Sequence, residues 1–176
     1  TEEMREKVTV MYRLSNKKTS VILNTPRIVE FTGIQPSSDP VLKNRFVILY
    51  AGTIDPLRNL DVVIKSLKYI DKAANPLLVV VGGAISCYKW CLKELQDLII
   101  KENLTNNVYF TGKVTRPEVL SYIASSDVCI VAHKVNSYTK FLWRTQIHEY
   151  AAMGKVIVST PLPPIFRLYS DGIVKW

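Results

Sequence analysis

The stretch FVILYAG, Phe46 to Gly52, decides the fold. It is a continuous apolar run with β-branched residues, closed by glycine, and such a run reads as a strand buried on both faces. Directly after it, NLDVVIKSLKYI (Asn59 to Ile70) spaces Leu60, Val63, Ile64, Leu67 and Ile70 as one face of a helix. Pro76 then precedes LLVVVGG, a second buried strand closed by two glycines. The rhythm continues with a helix over Tyr88 to Lys101, a strand VYFTG (Val108 to Gly112) and a helix over Arg116 to Ser126 with Pro117 in its first turn. A strand follows over Asp127 to His133, then a helix from Phe141 stopped by Gly154, then a strand over Lys155 to Thr160. Alternation of this kind predicts an α/β fold, a doubly wound parallel sheet with helices on both faces.

Working outward, residues 46–176 form the predicted domain and residues 1–45 a connector. The connector is read as a helix over Glu2 to Leu14, a strand SVILNT over Ser20 to Thr25 and a loop over Pro26 to Lys43. After Thr160 the run PLPP cuts the last strand, and FRLYSDGIVKW offers no closing helix. The chain is expected to be part of a longer one.

Composition narrows the class. The chain has 176 residues, 48% hydrophobic and 22% charged, enough to bury a core in one domain. Three cysteines, Cys87, Cys91 and Cys129, exclude a disulfide framework and are read as buried or partly buried free thiols, with Cys87 and Cys91 on one helical face. The net charge is +8. Residues 46–130 are nearly neutral, and the excess sits at the two ends, with six basic and two acidic residues in 131–176. There is no dense basic and aromatic run, so nucleic acid is not an expected partner. No apolar run spans a bilayer, and a cytoplasmic location is expected, with a peripheral contact to an anionic membrane face as a further expectation.

In an open parallel sheet, ligands bind beyond the carboxyl ends of the strands. Those ends are Gly52-Thr53, Gly82-Gly83, Gly112-Lys113, His133 and Thr160. Gly-x-Gly-x-x-Gly and Walker patterns are absent, and the glycines also fit plain turn chemistry. Arg58, just before a helix start, suits a phosphate; a surface arginine is the ordinary alternative. Glu149, on a small-residue helix ahead of Ala151 and Gly154, suits two adjacent hydroxyls, or else is a surface glutamate. His133 and His148 are not spaced as metal ligands, so no metal is expected. Tyr122, Trp143 and Tyr150 are assigned to helices, packing in the core.

The order FVILYAGTIDPLRNLDVVIKSL, LLVVVGG, VYFTGKVTRPEVLSYIASSDVCIVAH and HEYAAMGKVIVST resembles retaining GT-B glycosyltransferases of group 1, the sucrose-synthase and mannosyltransferase type. The resemblance covers about Ser20 to Gly172. It implies a Rossmann-like C-terminal half of a GT-B enzyme, with the N-terminal acceptor domain outside this chain. It implies transfer of a hexose from a UDP- or GDP-sugar to a hydroxyl of a glycan or lipid-linked acceptor. By the same resemblance, Thr53, Arg58 and Asn59 hold the donor diphosphate, with Arg58 catalytic as the group that meets the leaving charge. Gly112, Lys113 and Val114 receive the base, and Glu149 the ribose. The family often has Arg where Thr53 stands, and its first glutamate falls in register on Phe141; His133 and Lys140 are the expected donor-sugar contacts instead. A nucleotide-sugar epimerase of the same fold and a non-catalytic basic binding module are the alternatives.

Overall fold

The computed structural model describes residues 1–15, 18–169 and 174–175. Six parallel strands form one sheet: β1 (Phe46–Ala51), β2 (Pro76–Val81), β3 (Val108–Gly112), β4 (Val128–Val131), β5 (Val156–Ser159) and β6 (Val174–Lys175). Their order is β3-β2-β1-β4-β5-β6. The helices are α1 (Glu2–Met11), α2 (Leu60–Ser66), α3 (Lys89–Lys101), α4 (Arg116–Ala124), α5 (Thr145–Ala152) and α6 (Pro163–Tyr169). None of the described helices is long and apolar enough to cross a membrane.

The central strands are buried on both faces because helices cover both. Alternate side chains of β1 go to opposite sides. Val47, Leu49 and Ala51 pack with Leu120 and Ile123 of α4, Ile147 and Tyr150 of α5 and Ile165 of α6. Ile48 and Tyr50 pack with Leu60 and Ile64 of α2 and with Leu95 and Ile99 of α3. Local sequence sets the ends of these helices. Glu118 accepts the Thr115 N–H at 2.7 Å and so fixes the start of α4. Gly154 ends α5 at φ +65°, and the Lys155 N–H returns to the Tyr150 carbonyl at 3.0 Å. That bond is the six-residue closure characteristic of a left-handed glycine cap.

Four expectations are corrected. A closing helix does follow β5: α6 starts at Pro163, inside PLPP, where proline loses nothing, since first-turn N–H groups have no partner in the helix. Ser20 to Thr25 forms no strand and joins no sheet; Ile22 is 92% exposed, and the Asn24 carbonyl instead accepts the Trp143 indole N–H at 2.8 Å. Trp143 thus lies before α5 rather than on it, stacked on His148 with ring centroids 4.5 Å apart. Cys87 sits in a 3-10 turn ahead of α3 and is exposed, whereas Cys91 and Cys129 are buried.

Parts of residues 1–45 pack on the helices that cover the sheet. Tyr122 of α4 donates to Asp39 at 2.6 Å, and the Ser37 N–H reaches the Ser125 hydroxyl at 2.7 Å. An ion pair joins Glu3 of α1 to Arg167 of α6.

Candidate functional site

The chain runs outward in opposite directions from β1 and β4, which are neighbours in the sheet. Their carboxyl ends therefore part, and a crevice opens there. A cleft of about 340 Å³ lies beside this point, lined by Gly52, Thr53, Gly82, Gly83, Lys113, Arg116, Gln146 and Glu149 among others. Its floor is backbone. Gly52 and Gly82 approach so closely that a Cβ on Gly82 would stand 2.2 Å from the Gly52 carbonyl oxygen. The Gln146 amide donates to the Ala51 carbonyl, and the Tyr50 hydroxyl donates to that of Thr53 at 2.8 Å. These bonds hold open the turn that leaves β1.

On one wall, Glu149 projects from the middle of α5, its side chain 13% exposed. Its Oε1 pairs with Arg116 Nη2 at 2.9 Å, and Arg116 reaches Glu30 at 3.6 Å. These two carboxylates raise the arginine's pKa, although its burial acts the other way. The β3 turn supplies Gly112 at φ +69°, then the exposed Lys113, then Val114, which packs inward on the core.

Beyond the β1 turn lies a second cluster. Asp55 accepts the Leu57 N–H at 2.9 Å and pairs with Arg58 Nε at 2.6 Å; both side chains of the pair are mostly buried, 13% and 14% exposed. Arg58 Nη1 lies 3.3 Å from His133 Nε2, and Arg144 Nη2 lies 3.3 Å from His133 Nδ1. The imidazole, which has no exposed surface, is thus held between two guanidiniums. Burial, then Arg144 and Arg58, push His133 down to about 3, against a weaker opposing bond with the Leu57 backbone. Burial first, and Arg58 next, pull Arg144 down to about 10.

The His133 shift makes stability depend on pH. The folded value of about 3 is below the ordinary 6.5, so the unfolded chain binds the extra proton between those values. Stability from this group is complete above pH 6.5 and is lost as the pH falls toward 3, with a slope approaching about 1.4 kcal/mol per pH unit. His133→Gln is expected to flatten that part of a stability profile measured by urea unfolding. Equal slopes in the two proteins would mean that His133 is not the group responsible.

Of the residues singled out in the sequence, Thr53, Lys113 and Glu149 come together at the cleft. Arg58 and His133 meet beside it, and Asn59 caps the short α2 from a left-handed conformation at φ +49°. Lys140 goes elsewhere: it lines a separate depression with Glu6, Lys7, Val10 and Pro163, its ammonium 5.1 Å from the Phe141 ring. Arg116, Arg144 and Gln146 were not singled out. Arg116 and Arg144 each stand at a helix start, a place where a lone charge reads as solvated surface. Among the described residues, no group of three or more His, Cys, Asp or Glu is placed to hold a metal ion.

Residues 45–175 match the family described as glycosyl transferases group 1. None of the curated proteins matches the chain. Among solved structures, HepE from Anabaena, in a complex with UDP, superposes with a TM-score of 0.76 at 19% identity, over 92% of this chain and 44% of that one. WaaG, a glycosyltransferase involved in lipopolysaccharide biosynthesis, gives 0.75 at 15% identity over 97% and 45%. Sucrose-phosphate synthase from Thermosynechococcus elongatus gives 0.68 at 17% over 97% and 42%. At such identities the likeness is one of fold, and the chain spans less than half the length of each.

Proposed function

The chain belongs to the glycosyl transferases group 1 family, with the Rossmann-like fold of a C-terminal GT-B domain, and on that premise we propose that it binds the nucleotide-sugar donor of a retaining glycosyltransferase. The observation that carries the reading is Glu149, a mostly buried carboxylate in a cleft at the strand-order reversal, with one oxygen taken by Arg116. Its other oxygen is left for a pair of vicinal hydroxyls, as on a ribose. HepE, of the same fold, has been solved with UDP and with UDP-glucose.

In this reading the base lies against Gly112, Lys113 and Val114, and the ribose on Glu149. The diphosphate lies against Thr53, Asn59 and Arg58. A hexose from a UDP- or GDP-sugar passes to an acceptor hydroxyl on a glycan or lipid-linked acceptor. The bond from the anomeric carbon to the diphosphate oxygen breaks with its electron pair going to the diphosphate, the acceptor oxygen bonds to the anomeric carbon on the same face, and the acceptor's hydroxyl proton passes to the leaving diphosphate. Arg58 meets the charge that builds on the leaving diphosphate, a fixed donor needing no rearrangement as charge develops. The donor-sugar contact expected of His133 needs the two guanidiniums that cover its ring to move aside, since the ring has no exposed surface. Lys140, on the α1 side, can join it only through movement of residues 134–140. The acceptor is held by an N-terminal domain outside this chain, and the reaction is placed in the cytoplasm, with peripheral contact to a membrane carrying the acceptor.

Calorimetric titration with UDP, GDP, ADP and inorganic pyrophosphate tests the reading. Saturable binding of UDP or GDP is expected. Glu149→Gln is expected to weaken it about tenfold to a hundredfold, the worth of a charge-assisted hydrogen bond, while leaving pyrophosphate unaffected. A wild-type protein that binds no nucleoside diphosphate better than pyrophosphate removes the reading.

A further inference from the structure

We propose that Arg144 is a second phosphate-binding guanidinium, which together with Arg58 grips two linked phosphates across the buried ring of His133. The inference rests on the donor-binding reading of this site and assigns its diphosphate a contact that reading does not contain.

The hydrogen-bond count points there. Arginine only donates, and a neutral imidazole has a single lone-pair nitrogen. His133 has a guanidinium on each nitrogen, at 3.3 Å in both cases. The ring can therefore accept from one of them, and the other guanidinium N–H faces a nitrogen that has nothing to give. Protonating the ring would leave it accepting from neither, beside two cations. The downward push on His133 agrees with a ring that stays neutral.

The charge count agrees. Asp55 balances Arg58 at 2.6 Å. Among the described residues no carboxylate lies within ion-pair distance of Arg144, and its Nε is buried without a partner. A half-buried arginine beside another cation, with donors to spare, is costly as a purely structural residue. An anion relieves both deficits, since phosphate oxygens accept in the forked geometry a guanidinium offers. The two arginines come from opposite sides of the switch point, Arg58 from the turn after β1 and Arg144 from the lead into α5. Arg144 also caps that eight-residue helix, whose positive end adds to the same field. Two separate heads on one neutral ring suit two phosphates rather than one. His133 is then a positioning residue: it spaces the guanidiniums without adding charge.

The experiment is calorimetry with UDP, GDP and inorganic pyrophosphate on the wild type, Arg144→Gln, Arg144→Lys and Glu149→Gln, with each variant's thermal midpoint as a check on folding. Arg144→Gln is expected to weaken the nucleoside diphosphate and pyrophosphate alike, by about tenfold to a hundredfold. It is also expected to flatten the salt dependence of both. Arg144→Lys, which keeps the charge but not the fork, should fall between, and it supplies the reading if the glutamine variant does not fold. Glu149→Gln should weaken only the nucleotides. Unchanged affinity for both ligands in the arginine variants overturns the proposal and leaves the donor-binding reading standing, as does a loss confined to the nucleotides. Arg144-dependent binding of pyrophosphate with no preference for nucleoside diphosphates supports Arg144 and removes the donor reading. A wild type that binds none of these ligands overturns both.

Discussion

Gly82→Ala is expected to lower the unfolding free energy by about 3–5 kcal/mol, the sum of backbone strain and overpacking. Gly82 has φ +127°, a conformation that side chains rarely adopt, and an added methyl would stand 2.2 Å from the Gly52 carbonyl oxygen. That oxygen belongs to backbone, so no rotamer change relieves the clash. Nor can the chain retreat easily, because the Gly82 N–H is bonded to the Gly112 carbonyl at 3.1 Å and the Gly52 N–H to that of Val81 at 2.8 Å. Against a typical stability of about 5–15 kcal/mol, such a loss is a large fraction of the whole. The next residue is the control: a Cβ on Gly83 meets nothing closer than 3.8 Å, and Gly83→Ala should be nearly silent. Urea unfolding should show a much lower midpoint for Gly82→Ala with an unchanged slope. Equal midpoints for the two variants would contradict the close approach of the β1 and β2 ends.

Arg58→Ala is expected to act twice. It removes the group assigned to the leaving diphosphate, which should weaken nucleoside diphosphate binding by about a hundredfold or more. It also strands Asp55, which is left with the Leu57 N–H as its hydrogen-bond donor in a mostly buried position. Breaking a buried pair from one side costs about 3–5 kcal/mol, and less here because some solvent reaches both groups. The double variant Arg58→Ala/Asp55→Ala separates the two effects. Removing the stranded charge should restore much of the stability and none of the affinity. If affinity returns with stability, Arg58 serves the fold and not the ligand.

The parallel sheet was legible because its strands are apolar on both faces, and FVILYAG and LLVVVGG carry that pattern without interruption. The start of α5 was less legible. Periodicity places it at Phe141, yet the helix begins at Thr145, because the Asn136 side chain accepts the Tyr138 and Thr139 N–H groups at 2.9 and 2.8 Å. This turn, closed by bonds from a side chain, is invisible to a hydrophobic pattern. SVILNT has the composition of a strand, but composition cannot say whether a sheet edge is free to receive it. At the site, Glu149 stood out as a carboxylate on a helix of small residues. Arg144 did not, because what distinguishes it is the ring of His133, eleven residues earlier in the chain, and the lack, among the described residues, of a carboxylate within ion-pair distance.

The seam between β1 and β4 also bears on the order in which the molecule assembles. The Asp127 carboxylate accepts the Val47 N–H at 2.7 Å across a separation of 80 residues, and the Asp127 N–H returns to the Val47 carbonyl at 2.9 Å. β1 can pair with β2 after a short excursion through α2, but β4 is separated from it by two strands and three helices of intervening chain. Closing so long a loop is paid in entropy before any contact rewards it, which makes this pairing a slow event. The crevice and the two-arginine cluster both depend on that seam. A partly folded chain therefore lacks the cleft, and any ligand of this site can bind only once the topology is complete.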